Sequence, residues 1–203
     1  MTVIKLCGLK SAAAIEEINR LLPDYAGFIC TQGFRRSVSS ETLRELKSML
    51  DPGVKAVGVF VNEPIERIVS LFEQGLIDAV QLHGQEDNAF IDALKTGRNC
   101  FVLQAVKIDS PEALRWAESS RADLVVLDGG TGEGKRFDWR MLESMRRPYL
   151  LAGGLTPANV REAIEILHPL GVDTSSGIET DGKKDPLKMR LFVQRARETA
   201  NDK

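Results

Sequence analysis

The chain has 203 residues, of which 43% are hydrophobic and 28% are charged, as in an ordinary globular protein. Its formal net charge of −2 argues against a function in binding nucleic acid or anionic membranes. No apolar run approaches the roughly 20 residues of a membrane span, and no signal peptide is expected because Met1 leads straight into a strand-like run. Three cysteines without CxxC spacing predict reduced thiols in the cytoplasm and argue against a zinc cluster.

Short apolar runs and amphipathic stretches alternate along the whole chain, a pattern typical of strands followed by helices. Strands are predicted at residues 3–7, 25–30, 54–61, 79–83, 100–106, 124–127, 149–152 and 172–175. Helices are predicted at residues 11–22, 41–50, 64–74, 88–95, 111–118, 139–145, 157–167 and 186–199. The predicted N-caps are Ser11, Ser39 or Ser40, Ser110, Asp138, Thr156 and Asp185, and Pro64 and Pro111 are expected in first helical turns.

This uniform alternation predicts parallel strands joined by helical crossovers. Eight such units favour a single-domain (β/α)8 TIM barrel over residues 1–203, near the lower size limit of roughly 200 residues for that fold. The alternative is a doubly wound open sheet, which leaves two of the units unexplained. No linker or change of composition divides the chain, so one α/β domain is expected.

The strand ends carry the candidate chemistry, because barrel enzymes keep their active sites at the C-terminal ends of the strands. Asp128 ends a buried run and precedes a glycine-rich loop, although Asp-Gly is also an ordinary turn pair. Period-two alternation puts several polar residues on one face. The residues that share a face are Lys5 and Cys7, Gln81 and His83, Val126 and Asp128, and Asp173 and Ser175.

Cys7 and Asp128 are the candidate acid–base pair. Their predicted strands, the first and the sixth, are not neighbours in the ring, so their ends can face one another across the mouth. Cys7 as a base needs its thiolate favoured, for which Lys5 is the nearest cation in sequence. Asp128 as an acid needs its protonated form favoured by burial or a negative neighbour. The alternative for Cys7 is a buried, inert thiol.

A phosphate site is predicted after the seventh and eighth strands, where barrels often bind phosphate. Glycine N–H groups and serine hydroxyls are suitable donors to the anion. The alternative is a pair of tight turns. The candidate residues are Gly153, Gly154, Ser175, Ser176 and Gly177.

The remaining candidates are less specific. Arg35 and Arg36 follow the second strand and could clamp a carboxylate, or they form a solvated basic loop. His83 is expected to support the site rather than to perform catalysis, and His168 is expected at the surface. Cys7, His83, Asp128 and Asp173 are possible metal ligands by type, but no ligand spacing supports a metal centre.

Seven short segments in this order resemble the phosphoribosylanthranilate isomerases, which act in tryptophan biosynthesis. They are KLCG at 5–8, GVFVN at 58–62, QLHG at 81–84, LD at 127–128, FDW at 137–139, LAGGL at 151–155 and DTSSGIE at 173–179. The resemblance covers essentially the whole chain. It implies an Amadori rearrangement of a phosphorylated small molecule, without a metal or organic cofactor, and it leaves association with other enzymes of the pathway open.

The resemblance also implies roles for individual residues. Cys7 matches the general base and Asp128 the general acid, while Arg36 matches the arginine that holds the anthranilate carboxylate. Asp173 matches a contact to the sugar hydroxyls. The substrate-binding set is completed by His83, Gly153, Gly154, Ser175, Ser176 and Gly177.

Two loops depart from the pattern of the family. The loop after Asp128 is short and has Glu133 between its glycines where Ser or Thr is usual. The second loop has Phe34 and Arg35 before Arg36, where the family commonly has Ser-Pro-Arg or Ser-Lys-Arg. Register therefore favours Arg36 over Arg35, and the closure of the loops over substrate stays open.

Three other functions stay open at this point. A metal-dependent sugar-phosphate epimerase would use paired acids or a metal at the mouth. A non-catalytic barrel would bind a phosphorylated ligand without turnover. An isomerase that also accepts the related histidine-pathway aminoaldose is disfavoured, because enzymes of that pathway resemble chains with an aspartate where Cys7 stands here.

Overall fold

The computed structural model describes residues 2–129, 141–142 and 145–198 of the chain. Eight parallel strands, β1 to β8, close into a barrel in sequence order, and β1 pairs with β8. Their bounds are Val3–Cys7, Tyr25–Ile29, Lys55–Phe60, Ala79–Leu82, Phe101–Lys107, Leu124–Asp128, Tyr149–Ala152 and Gly171–Thr174. The predicted (β/α)8 barrel is therefore confirmed, and the open-sheet alternative is wrong.

Seven α-helices lie in the described part of the chain and surround the barrel. Helices α1 to α7 have the bounds Ala12–Leu21, Ser40–Met49, Ile65–Glu73, Asn88–Lys95, Pro111–Ser119, Val160–Leu167 and Pro186–Glu198. Ser11, Ser39 and Ser110 cap their helices as predicted, because each side chain accepts a hydrogen bond from a backbone N–H of the first turn. None of the helices found in the described residues is long and apolar enough to cross a membrane.

Two predicted helix starts are wrong, by one residue in α3 and by three residues in α6. Pro64 is the N-cap of α3 rather than a residue of its first turn. Helix α6 begins at Val160 and not at 157, because Asn159 Oδ1 accepts from Thr156 N at 2.8 Å and holds the intervening residues in a turn. The predicted helix at 139–145, with its cap Asp138, has only residues 141, 142 and 145 within the described part.

Side-chain alternation divides the hydrophobic core into two layers. Outward-facing strand residues such as Leu6, Phe28 and Phe60 belong to one cluster with the buried faces of the helices. A separate cluster fills the barrel interior. Its members are Val57, Ala79, Leu103, Ala105, Leu124, Val126, Leu150 and Ala152. The barrel interior is therefore apolar over much of its length, and the inward-facing polar residues lie towards the C-terminal ends of the strands.

Three aspartates stabilise the opposite, N-terminal end of the barrel. Asp24, Asp78 and Asp123 stand directly before β2, β4 and β6. Each carboxylate accepts from a backbone N–H at the start of the preceding strand, at 2.8, 2.7 and 2.8 Å. These acids join neighbouring strands at the face where barrels keep stabilising rather than catalytic groups.

Candidate active site

Cys7 lies at the end of β1 above a buried lysine. Lys5 is fully buried, and its Nζ donates to Asp173 Oδ2 at 3.0 Å across the β1–β8 pair. Cys7 is 6% exposed, and the Lys5 ammonium lies within electrostatic range of it. A Cβ at Gly27 would lie 2.6 Å from Cys7 Sγ and 3.1 Å from Lys5 Nζ. Only glycine on β2 therefore leaves room for the sulfur and the ammonium together.

The Lys5 ammonium is retained inside the barrel by its neighbours. Burial acts to lower the pKa of Lys5, but Asp173 and Cys7 act in the opposite direction, and the pKa lies above its ordinary value. Arg36 and Lys184 also lie within electrostatic range of Cys7. Cations beside a sulfur stabilise its thiolate, which is the form that acts as a base.

The other two cysteines have a different environment. Cys30 and Cys100 belong to the hydrophobic layer between strands and helices. Burial raises the pKa of Cys30 to about 12 and that of Cys100 to about 11. Both therefore remain neutral thiols near pH 7, which argues against either of them as a general base.

Asp128 lies at the end of β6 opposite His83, which follows β4. His83 Nε2 is 3.8 Å from Asp128 Oδ2, longer than a direct hydrogen bond. The two side chains are 42% and 29% exposed, so both reach the solvent at the mouth. The histidine that was expected to support the site thus stands beside the candidate acid.

Arg36 is held in place by the carboxylate of Glu179. The sequence alone assigned Glu179 no role of its own, although it ends the segment DTSSGIE. Arg36 Nε and Nη2 donate to the two oxygens of Glu179 at 2.6 and 2.8 Å. Arg35 Nη2 donates to Glu179 Oε2 at 2.6 Å, and Lys184 Nζ donates to Oε1 at 2.9 Å. Three cations around one carboxylate leave an excess of positive charge at this side of the mouth.

The charge state of this cluster follows from its hydrogen bonds. Burial acts to raise the pKa of Glu179, but donation from Arg36, Arg35 and Lys184 holds it well below its ordinary value. Burial is also the largest influence on Lys184, and it lowers the pKa of that amine. Glu179 is therefore a carboxylate at any pH at which the protein would work.

Lys184 was missed by sequence analysis, although a local signal for it exists. Glu179–Thr180 and Lys183–Lys184 form a two-stranded antiparallel hairpin, β9 and β10, with Lys184 paired to Glu179. The hairpin turns at Asp181 and Gly182, both with positive φ. Asp-Gly between short strands is a strong hairpin signal, which places the lysine beside the glutamate.

The predicted phosphate loops meet between β7 and β8. Gly153 and Gly154 have φ of 87° and 68°, values that disfavour other residues. A Cβ at Gly177 would lie 1.8 Å from Leu155 O, so only glycine permits this approach. Thr174 Oγ1 donates to the same carbonyl at 2.7 Å. The two loops therefore form one surface.

Predicted residues from three strand ends meet at the mouth. A Cβ at Gly8 would lie 2.5 Å from Arg36 Cδ and 2.8 Å from Ser175 Oγ, so the ends of β1, β2 and β8 converge there. Among the described residues, no group of three or more His, Cys, Asp or Glu could hold a metal ion. Gly130, Gly132, Glu133, Gly134, Phe137, Asp138 and Trp139 of the loop after Asp128 lie outside the described residues.

Comparison with known proteins assigns the chain to a family. Residues 4–195 match the family model described as N-(5′-phosphoribosyl)anthranilate (PRA) isomerase. The chain belongs to the PRA isomerase family. This membership confirms the resemblance found in the short segments, and with it an isomerase of tryptophan biosynthesis.

Individual PRA isomerases agree with this assignment. The N-(5′-phosphoribosyl)anthranilate isomerase of Lacticaseibacillus casei strain BL23 is 39% identical over 198 residues, which are 98% of this chain and 96% of the relative. The crystal structure of the Thermotoga maritima enzyme has a TM-score of 0.90 at 33% identity, covering 98% of this chain and all (100%) of that chain. A PRA isomerase in complex with reduced 1-(o-carboxyphenylamino)-1-deoxyribulose 5-phosphate has a TM-score of 0.87 at 32% identity, with coverage of 98% and 100%.

Proposed function

We propose that this chain catalyses the Amadori rearrangement of N-(5-phosphoribosyl)anthranilate to 1-(2-carboxyphenylamino)-1-deoxyribulose 5-phosphate, with Cys7 as general base and Asp128 as general acid. The observation that carries the proposal is that different ionisable groups stand at two separate strand ends of the barrel mouth. A thiol beside the Lys5 ammonium stands at the end of β1, and a carboxyl group beside His83 stands at the end of β6. A base and an acid at separate strand ends suit a reaction that needs both on one sugar.

The proposed roles of Asp128 and Cys7 are two proton transfers that precede a final tautomerisation. Asp128 protonates the furanose ring oxygen while the C1′–O bond breaks, and the anthranilate nitrogen lone pair forms the C1′=N bond of a Schiff base. Cys7 thiolate then removes the C2′ proton, and the electron pair of that C–H bond forms the C1′=C2′ bond of an enolamine. The enolamine tautomerises to the ketone product. Because the iminium withdraws electrons from C2′, a thiolate is a strong enough base for the second step.

The substrate carboxylate is proposed to bind Arg36. Glu179 occupies Nε and Nη2 of this guanidinium, and no hydrogen bond of Nη1 is found in the described part of the chain. A planar guanidinium held along one edge can still present its other edge to a second carboxylate in bidentate geometry. Glu179 therefore orients Arg36 and still leaves hydrogen-bond donors of the guanidinium available for the substrate carboxylate.

Replacing Arg36 with alanine is expected to raise KM roughly 10- to 100-fold, the value of a charge-assisted hydrogen bond, with a smaller change in kcat. Arg35→Ala is the matched control, since Arg35 shares Glu179 but is more exposed and also donates to Gly182 O. Steady-state kinetics of both variants decide the assignment. A larger increase in KM for Arg35→Ala than for Arg36→Ala would move the clamp to Arg35.

The phosphate is proposed to bind the joined loops after β7 and β8. No hydrogen bond donated by the backbone N–H groups of Gly154, Ser176 or Gly177 is found among the described residues. Ser175 Oγ lies 3.4 Å from Lys184 Nζ, so a cation stands next to these donors. Asp173, with His83 and Gly153, completes the substrate-binding set of the proposal.

Fluorescence decay of freshly made phosphoribosylanthranilate, with and without EDTA, tests the proposed function. Rapid decay that survives the chelator is expected, because the proposed chemistry uses only side chains of this chain. Decay that EDTA abolishes would favour the metal-dependent epimerase type of site. Ligand binding without accelerated decay would favour the non-catalytic barrel.

The proposal also includes a cellular location and possible partner enzymes. A cytoplasmic location is supported by the three cysteines, all of which are unpaired, as is usual in a reducing compartment. Association with other enzymes of the tryptophan pathway remains a prediction.

A further inference from the structure

Two buried side-chain oxygens in the described part of the chain have no hydrogen-bond partner. They are Gln81 Oε1 and Asp173 Oδ1. The two residues are 2% and 7% exposed, so water does not reach them freely. Leaving a buried acceptor unsatisfied lowers stability, and native proteins rarely retain such groups without a use for them.

Both oxygens belong to residues that face the barrel interior. Ala79, two residues before Gln81 on β4, packs in the inner cluster, so Gln81 points the same way. Val172 packs in the outer layer, so its neighbour Asp173 on β8 points inward. Strands β4 and β8 stand opposite one another in the ring. The unpartnered oxygens therefore face one lumen from opposite walls, beneath the mouth.

A second buried glutamine shows how this chain satisfies an amide that is structural. Gln104 lies on the neighbouring strand β5 and is also nearly inaccessible. Its Nε2 donates to Glu86 O at 2.7 Å, and its Oε1 accepts from Ser120 Oγ at 2.5 Å. Gln81 makes no such bonds to the described residues. The contrast indicates that the partner of Gln81 is not part of the folded chain.

We propose that the Gln81 amide binds a hydroxyl group on the pentose of the substrate, as a residue that contacts substrate without transferring a proton. A hydroxyl both donates and accepts, so it satisfies the amide whichever way the oxygen and nitrogen are placed. An acceptor-only group would leave Asp173 Oδ1 unpartnered across the lumen. A polyol meets both needs. This inference rests on the proposed function and extends it to a residue with no assigned role.

Gln81→Met and Gln104→Met, which replace each amide with an apolar side chain of similar length, separate binding from structure. Gln81→Met is expected to keep or raise Tm, because an unsatisfied buried group is removed, while kcat/KM falls about tenfold. Gln104→Met is expected to lower Tm and to leave kcat/KM unchanged. Opposite effects on stability and activity would not arise from a purely structural residue.

Binding measurements identify the part of the ligand involved. Reduced 1-(o-carboxyphenylamino)-1-deoxyribulose 5-phosphate, which carries the sugar hydroxyls, is expected to bind Gln81→Met about tenfold more weakly than the wild type. Inorganic phosphate, which has no pentose, is expected to bind both equally. Weaker binding of both probes would place the effect of the substitution outside the pentose and would overturn the proposal.

The remaining outcomes are equally decisive. A lower Tm of Gln81→Met with unchanged kcat/KM would mean that the amide holds a structural water. A higher Tm with unchanged kcat/KM and unchanged binding of the reduced analogue would mean that the oxygen serves no ligand. Either result overturns the inference. If the wild type fails to turn over phosphoribosylanthranilate, the proposed function fails first, and the binding of the reduced analogue still tests the contact of Gln81 by itself.

Discussion

Cys7→Ala is expected to lower kcat by about 10²- to 10⁴-fold, the usual contribution of a general base, while KM changes little. The sulfur is the only group of that side chain that can accept the C2′ proton, and the Lys5 ammonium lies within electrostatic range of it. The proposed substrate contacts are made by other residues, so little change in KM is expected. Steady-state kinetics of the variant at saturating substrate measure the effect.

Cys30→Ala is the matched control for Cys7→Ala. Cys30 is a buried cysteine on the outer face, and burial raises the pKa of its thiol to about 12. The control is expected to lose some stability through a small cavity and to retain the wild-type kcat. Near wild-type turnover of Cys7→Ala would remove the base assigned to Cys7. An equal loss of kcat in both variants would attribute the effect to disturbed packing.

Asp128→Asn is expected to lower kcat by a similar factor, about 10²- to 10⁴-fold, because an amide of the same shape cannot donate the proton that opens the furanose ring. The carboxyl group stands 3.8 Å from His83 Nε2 at the mouth, and the substitution replaces only one of its oxygen atoms. Rapid-quench or fluorescence kinetics of ring opening measure the step directly.

Asp123→Asn tests the same substitution at the other end of strand β6. Asp123 accepts from Val102 N at 2.8 Å and pairs with Lys95 at 2.6 Å, so its role is to hold neighbouring strands. The control is expected to lower the free energy of unfolding slightly and to leave kcat unchanged. If Asp128→Asn keeps wild-type kcat, another group opens the ring, and His83 becomes the first candidate because it faces the same carboxylate.

The cluster around Glu179 gives one side of the mouth a local excess of positive charge. One carboxylate receives hydrogen bonds from Arg35, Arg36 and Lys184, so the cations are held close together at a net positive charge. A substrate with a phosphate and a carboxylate is strongly anionic, and it would complete the neutralisation of this cluster. The overall charge of −2 conceals this local excess.

Local patterns were sufficient for the architecture. The alternation of Lys5 with Cys7 on one face of β1, the Ser110 cap before Pro111 and the acid at the end of the run 124–128 each depend on residues within a few positions. Secondary structure responds to such short-range terms, so the order of eight strands, and from it the barrel, could be predicted without coordinates. The same argument placed the candidate site at the strand ends.

Pairings between distant residues depended on closure of the barrel. Arg36 and Glu179 are 143 positions apart, and Lys5 and Asp173 are 168 positions apart, so no sequence window contains both partners. The unpartnered oxygen of Gln81 is likewise a property of its surroundings and not of its residue type. Periodicity determines which way a side chain points, but only the packed tertiary structure decides which groups from other strands it meets and which of its hydrogen bonds are left for a ligand.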